Sequence, residues 1–292
     1  MKLALQKSPI PASQAFVVKY LKEAHFDANW HFHPEYQLFV VLRGSGTRFI
    51  GDQVKPFREG DMVFIGPNLP HLWRSDAEYF EGRADYWTEG IVVYFQEDFL
   101  GNAFLQKEEM HRVKHLFQMA CRGVDVVGST AEKVKSLLRQ LLKLDGFDKV
   151  LQFLQILHVL AQANCCQPIA SLGYTNTLKA SDTERMNKVH AYVMKNFKSS
   201  ISLEEAATIA NMAPASFSRY FKTHANKTFS GFVCEIRIGH ACKLLVETNL
   251  TVSQACYECG FQTLSNFNRQ FKAFTGRTPK AYKKEFAEPL LI

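Results

Sequence analysis

Apolar positions along this chain change their period more than once, and each change predicts a different kind of element. Up to about residue 100 they come as short runs, Val40-Val41-Leu42, Met62-Val-Phe-Ile65 and Ile91-Val-Val-Tyr-Phe95. Turns at Gly44-Ser-Gly46, Gly51-Asp52, Glu59-Gly-Asp61 and Gly66-Pro67-Asn68 separate them. Short strands with glycine turns predict a β-sandwich or barrel. Over residues 103–162 the step becomes three and four: Val134, Leu137, Leu138, Leu141 and Leu142, then Val150, Phe153, Leu154, Leu157 and Leu160. With Asp145-Gly-Phe-Asp148 between them, these predict an antiparallel helical hairpin whose second helix is apolar on more than one face. That surplus must be covered by the barrel or by another subunit. From Asn164 to Lys179 the pattern dissolves into Pro, Ser, Gly, Thr and Asn, as a linker would.

In the last ninety residues one pattern is written twice. Ser202-Leu-Glu-Glu205 leads through Ala206, Ala207 and Ala210 to Phe217-Ser-Arg219-Tyr-Phe221-Lys222. Thr251-Val-Ser-Gln254 leads through Ala255, Cys256 and Cys259 to Phe267-Asn-Arg269-Gln-Phe271-Lys272. The openings are 49 residues apart and the endings 50, so one copy carries an extra residue. Each opening is a capping box that starts a short helix of small residues. After a break at Asn211-Met-Ala or Gly260-Phe-Gln-Thr, each Phe pair at i, i+4 buries one face of a second helix. Helix, tight turn, helix is a helix-turn-helix. A single helix from Thr228 to Glu247 separates the two units. Ser181-Asp-Thr-Glu184 reads as a third capping box, opening a helix with Val189, Val193 and Phe197 on one side.

Charge supports this division. Residues 181–292 hold 15 Lys and Arg against 9 Asp and Glu, a net of +6 out of +7 for the whole chain, as suits contact with a polyanion. No apolar run approaches the roughly 18 residues of a membrane span, and the first residues lack the apolar core of a signal peptide. A cytoplasmic protein is expected, with no membrane partner. Seven cysteines, including Cys165-Cys166, suit no disulfide framework. Cys256 and Cys259 fall on the buried face of a helix, where a thiol acts as a small hydrophobe.

His31-Phe-His33-Pro-Glu-Tyr-Gln37 and Gly60-Asp-Met-Val-Phe-Ile-Gly-Pro-Asn-Leu-Pro-His71 resemble the paired motifs of the cupin barrel. In cupin enzymes the positions of His31, His33, Gln37 and His71 hold a metal. Gln37 stands where such cupins usually have Glu, which removes the anionic ligand, and a metal-free polar cavity is expected. The resemblance implies a ligand pocket of His31, His33, Tyr36, Gln37, His71 and Trp73, suited to a small polar effector such as a sugar.

The double helix-turn-helix, with Gly260-Phe261 and Thr275-Gly-Arg-Thr-Pro279-x-x-Tyr282, resembles the DNA-binding domain of the AraC/XylS transcription regulators. An N-terminal cupin-like sensor followed by a dimerising hairpin is the arrangement of AraC-type members. The fold class implied is α+β and multidomain. Residues 1–163 form a cupin-like β-barrel with a helical hairpin, 164–180 a linker, and 181–292 an all-α domain with two helix-turn-helix units. The expected function is a ligand-responsive regulator of a carbohydrate or small-molecule catabolic operon, not an enzyme. Its partners would be promoter DNA, an effector, a second copy of the chain and, for an activator, RNA polymerase. A metal-dependent cupin enzyme fused to a DNA-binding domain, and a ligand-independent dimeric regulator, are the alternatives. By resemblance Ala215, Ser218 and Arg219 face bases from the first unit, and Ser265, Asn266 and Arg269, flanked by Asn268, from the second. Lys222 and Lys272 suit phosphates. Where the family commonly has a Ser cap this chain has Ala213, so the first recognition helix starts without one.

Overall fold

The computed structural model describes residues 10–101, 103–163, 167–174 and 180–286. The chain divides into two compact units near Asn176. In the first, strands β1 (Phe16–Glu23), β7 (Thr88–Phe95), β2 (Tyr36–Arg43), β5 (Met62–Ile65), β8 (Val124–Asp125) and β9 (Gln167–Pro168) form one sheet in that order. Strands β4 (Gln53–Phe57), β3 (Gly46–Ile50) and β6 (His71–Ser75) form the other. Residue period two gives β2 two buried faces. Phe39 and Val41 join Val63, Ile65, Val92, Ile50 and Trp73 in a core between the sheets. Leu38 and Val40 join Phe64, Val93 and Phe95 on the opposite face. Burial on both sides makes such a strand a continuous apolar run, which is why β2, β5 and β7 stood out in the sequence. Strands β1, β3, β4 and β6 did not, since Lys19, Lys22 and Glu23 are exposed on β1 and Arg48 interrupts β3.

Helices α1 (His111–Ala120), α2 (Gly128–Leu141) and α3 (Gly146–Ala161) cover that second face. The expected all-helical stretch 103–162 is broken by β8, which pairs through Val124 with Phe64 and through Asp125 with Val63. The apolar surplus of α3 goes to the barrel. Phe153 lies 4.4 Å from Phe16 and 5.0 Å from Phe95, centroid to centroid. Leu138 is fully buried in this core, so it is unavailable to another subunit; the exposed apolar residues of the hairpin are Phe147 and Leu151.

Within the segment read as a linker, residues 167–174 belong to the first unit. Ile169 and Ala170 are buried and their N–H groups donate to the carbonyls of Gly123 and Arg122. Arg122 donates twice to the Ala170 carbonyl, and Asp52 accepts from both N–H and hydroxyl of Ser171. Composition misled here because most of the groups by which the segment is anchored belong to its backbone, with partners far away in sequence. Cys165-Cys166 lie outside the described residues.

The second unit is helical: α4 (Ala180–Asn196), α5 (Leu203–Ile209), α6 (Pro214–Ala225), α7 (Phe229–Glu247), α8 (Val252–Glu258), α9 (Leu264–Thr275) and α10 (Pro279–Phe286). Helix α4 is already under way at Ala180, so Ser181 is not its N-cap; the side chains of Ser181 and Thr183 lie outside the described residues. Thr251 and Gln254 form the full capping box of α8. At α5 only half of the box forms: Ser202 accepts from the Glu205 N–H, while the Glu205 carboxylate accepts from the Tyr192 hydroxyl. Helix α7 serves both repeats. Its first half, with Phe229 and Phe232, packs on Phe217 and Phe221. Ile238, Ala241 and Leu245 of its second half join Ala255, Cys256, Cys259, Phe267 and Phe271. Its 19 residues make a rod of about 28 Å. Burial raises the Cys256 and Cys259 thiols, the latter to about 12, as befits core side chains.

Candidate DNA interface and sensor pocket

On α6 and α9 the Phe pairs are fully buried, and the opposite faces are polar. Ala215, Arg219 and Lys222 are exposed on α6, with Ser218 half-buried; Ser265, Asn266, Asn268, Arg269 and Lys272 are all exposed on α9. Among the described residues neither Arg219 nor Arg269 is paired with a carboxylate. Instead Arg269 Nη2 donates to Asn266 Oδ1 at 3.1 Å, one turn back. Helix α9 opens on Thr263, whose hydroxyl accepts from the Asn266 N–H, whereas α6 opens on Ala213 with Pro214 at its first position and no side-chain cap. Arg237 of α7 donates to the carbonyls of Phe197 and Ser199, both at 2.7 Å, and thereby holds the α4–α5 connection against the spacer helix.

In the barrel the sequence-predicted residues divide. His31, His33, Gln37 and His71 come together: His31 bridges to His71 through backbone N–H and carbonyl groups, and the three imidazole centroids are 4.4 to 6.0 Å apart. Trp73 stands edge-on to His71 at 5.7 Å. Tyr36 does not take part. Because Gln37 points into the barrel its neighbour points out, and Tyr36 packs on Phe95 and Phe117 under the helices. Tyr94 takes the place expected of it; opposite Gln37 in the β2–β7 register, its ring lies 5.3 Å from His33. The alternation of Ile91-Val-Val-Tyr-Phe95 carried that signal. Glu35, also missed, is buried behind His33.

Each imidazole places Nδ1 against a carbonyl: Asn29 at 2.7 Å from His31, Glu35 at 3.0 Å from His33, and Leu69 at 2.7 Å from His71. Carbonyl oxygens only accept, so Nδ1 carries the hydrogen. Burial disfavours the charged form of all three rings, most strongly at His71, which leaves them neutral with a bare lone pair on Nε2. Taking one ring nitrogen from each of His31, His33 and His71, the three lie within 4.8 Å of one another. Histidines held through the other ring nitrogen are the usual donors to a metal. These residues therefore fit the metal that a cupin barrel implies better than the metal-free cavity expected from Gln37 alone.

Comparison with known proteins follows the same division. A helix-turn-helix domain family matches residues 206–285 and a cupin domain family residues 17–83. The uncharacterized HTH-type transcriptional regulator YdeC of Bacillus subtilis is 24% identical over 87% of this chain and 85% of its own length. An HTH-type transcriptional activator, RhaS of an Enterobacter species, is 20% identical over 87% of each. This chain is an AraC-type DNA-binding transcription regulator with a cupin domain. Among solved structures, the DNA-binding domain of AdpA in complex with a target DNA is 21% identical, with a TM-score of 0.35 over 37% of the regulator and 98% of that domain. Among the regulator's described residues no helix is long and apolar enough to cross a membrane.

Proposed function

We propose that the regulator is a cytoplasmic, ligand-responsive, sequence-specific protein that is not an enzyme. Residues 1–163 sense an effector and residues 181–292 read promoter DNA through α6 and α9. The carrying observation is the polar face of α9, where Asn266, Arg269 and Lys272 are exposed and Arg269, among the described residues, donates to Asn266 and pairs with no carboxylate. Arg forks onto guanine and Asn onto adenine, each contributing about 1 to 3 kcal/mol of discrimination. Two units on one rigid helix suit successive major grooves about 10 bp apart. The pocket of His31, His33, Gln37, His71, Trp73 and Tyr94 offers neutral polar groups between aromatic walls, which suits a small polar effector such as a sugar of a catabolic operon. The likeness to a named activator supports contact with RNA polymerase, and the exposed Phe147 and Leu151 support homodimerisation along the hairpin.

Hydroxyl-radical footprinting on an operator selected from random DNA tests this reading. Two protected grooves one turn apart are expected; a single protected groove, or no selected sequence, overturns it. Effector binding can act only through different affinities for the DNA-competent and incompetent states. His33→Ala is accordingly expected to abolish the effector response and leave basal DNA affinity within a few fold.

A further inference from the structure

Helix α7 carries one repeat on each half, and its least constrained backbone lies near the changeover. Gly239 stands there, between Phe232, which packs on Phe221, and Ala241, which belongs to the core of the second repeat. A glycine inside a helix leaves the backbone freer to bend than any other residue. Around this point three parts of the domain meet. Arg237 and His240, one turn apart, bracket Gly239. The Arg237 guanidinium donates from Nε to the Phe197 carbonyl and from Nη2 to the Ser199 carbonyl, each at 2.7 Å, and lies 5.9 Å from the centre of the Phe261 ring. His240 stands edge-on to Phe197 at 5.1 Å. Gly260 brings the turn between α8 and α9 against the same strip, so closely that a Cβ there would come within 2.7 Å of the Phe197 and Lys198 carbonyls. Residues 197–199, which lead from α4 into the first repeat, are thus joined both to the middle of α7 and to the turn that leads into α9.

We propose that Arg237 is a positioning residue for DNA recognition: it fixes the placement of α6 relative to α9, and so the distance between the two grooves the regulator occupies, without touching DNA itself. Its bonds are the strong kind, a charged donor on two carbonyls. The planar fork reaches both carbonyls at once, which the single ammonium of a lysine does not. Successive base pairs shift a groove by about 3.4 Å and turn it by about 34°. Bending of that size at Gly239 would carry α6 out of its groove while α9 stays seated. The inference rests on the reading that both recognition helices enter DNA.

The experiment footprints the full-length protein with hydroxyl radicals on its selected operator. It also measures affinity for that operator and for a duplex cut back to the subsite of α9. The unaltered regulator is expected to protect two grooves at one fixed distance and to bind the whole operator more tightly than the short duplex. Arg237→Ala should keep the α9 footprint and hold the affinity for the short duplex within about twofold, while the α6 footprint widens or shifts by about one base pair and the advantage of the whole operator falls about fivefold or more. The salt dependence on the short duplex should not change, since Arg237 neutralises no phosphate. Arg237→Lys keeps the charge and loses the fork, so it should show the same change to a smaller degree, and it serves where Arg237→Ala does not fold. An unchanged α6 footprint and operator advantage in both variants overturns the proposal. So does an equal loss on both duplexes, which marks a merely structural role, or a salt slope lowered by about one, which marks a direct phosphate contact. A single protected groove for the unaltered protein overturns the reading of two DNA-contacting units and this inference with it, whereas failure confined to the variants overturns this inference alone.

Discussion

The two helix-turn-helix units share a plan and differ in how firmly they are built. In the second, α8 has both arms of its capping box and α9 is capped by Thr263, while Gly260 lets the turn press against the carbonyls of Phe197 and Lys198. In the first, the Glu205 arm is diverted to Tyr192, α6 has no side-chain cap, and the matching turn residue is Asn211, a non-glycine residue at φ 53°. Polar groups follow the same gradient: Ser, two Asn and Arg stand on α9, while α6 offers Ala215, a half-buried Ser218 and Arg219. A well-capped helix holds its side chains in one place relative to a base edge, whereas a frayed one suffices for phosphates. If both units contact DNA as proposed, this difference would leave base reading chiefly to the second and anchoring chiefly to the first.

Substitution at the turns should show the largest effect. A Cβ at Gly260 would come within 2.7 Å of two backbone carbonyls at φ +81°, so Gly260→Ala is expected to cost about 3 kcal/mol in urea unfolding. Asn211→Ala should cost only about 1 kcal/mol; equal losses would erase the asymmetry. Next come the arginines. Arg269→Ala should weaken specific binding by about 1 to 3 kcal/mol and relax preference at one base position. Arg219→Ala should weaken all sequences evenly; a base-specific change there in a selection experiment would make the first unit a reader as well. Restoring the missing cap by Ala213→Ser should stabilise the protein by about 1 kcal/mol, detectable in the same unfolding assay, and a null result would mean that Pro214 alone suffices. The smallest expected effect is that of Lys222→Ala or Lys272→Ala, each lowering the slope of log affinity against log salt by about one at unchanged sequence preference.

Legibility in the sequence tracked how local the determining interactions are. The repeat could be read because caps, Phe pairs and turn residues act within five positions of one another, and the structure buries Phe217, Phe221, Phe267 and Phe271 as their spacing requires. Ser202 shows where this stops, since its partner Glu205 is claimed by Tyr192, 13 residues away. In the barrel, His31, His33, Gln37 and His71 converge, but Tyr36 faces outward and Tyr94 and Glu35 went unread. Their positions depend on strand register and on a carboxylate folded back behind His33, neither of which is written in neighbouring residues. Whether the barrel or a second subunit covers Leu138 was open for the same reason: periodicity shows that a helix face is apolar, not what covers it.

The extra residue of the second repeat has a consequence for how such a tandem can vary in length. Asn211 and Gly260 are 49 positions apart and the left-handed residues that end α6 and α9, Asn226 and Gly276, are 50 apart, so the insertion falls in the turn after α8. There it accommodates a buried Phe261, 5.2 Å from Phe267, and frees Thr263 to cap α9. The same residue added inside α9 would rotate everything beyond it by about 100°, carrying Phe271 toward solvent and Lys272 off the outer face. Over evolutionary time, then, the copies are free to drift in length at this turn while each recognition helix must keep its register residue for residue.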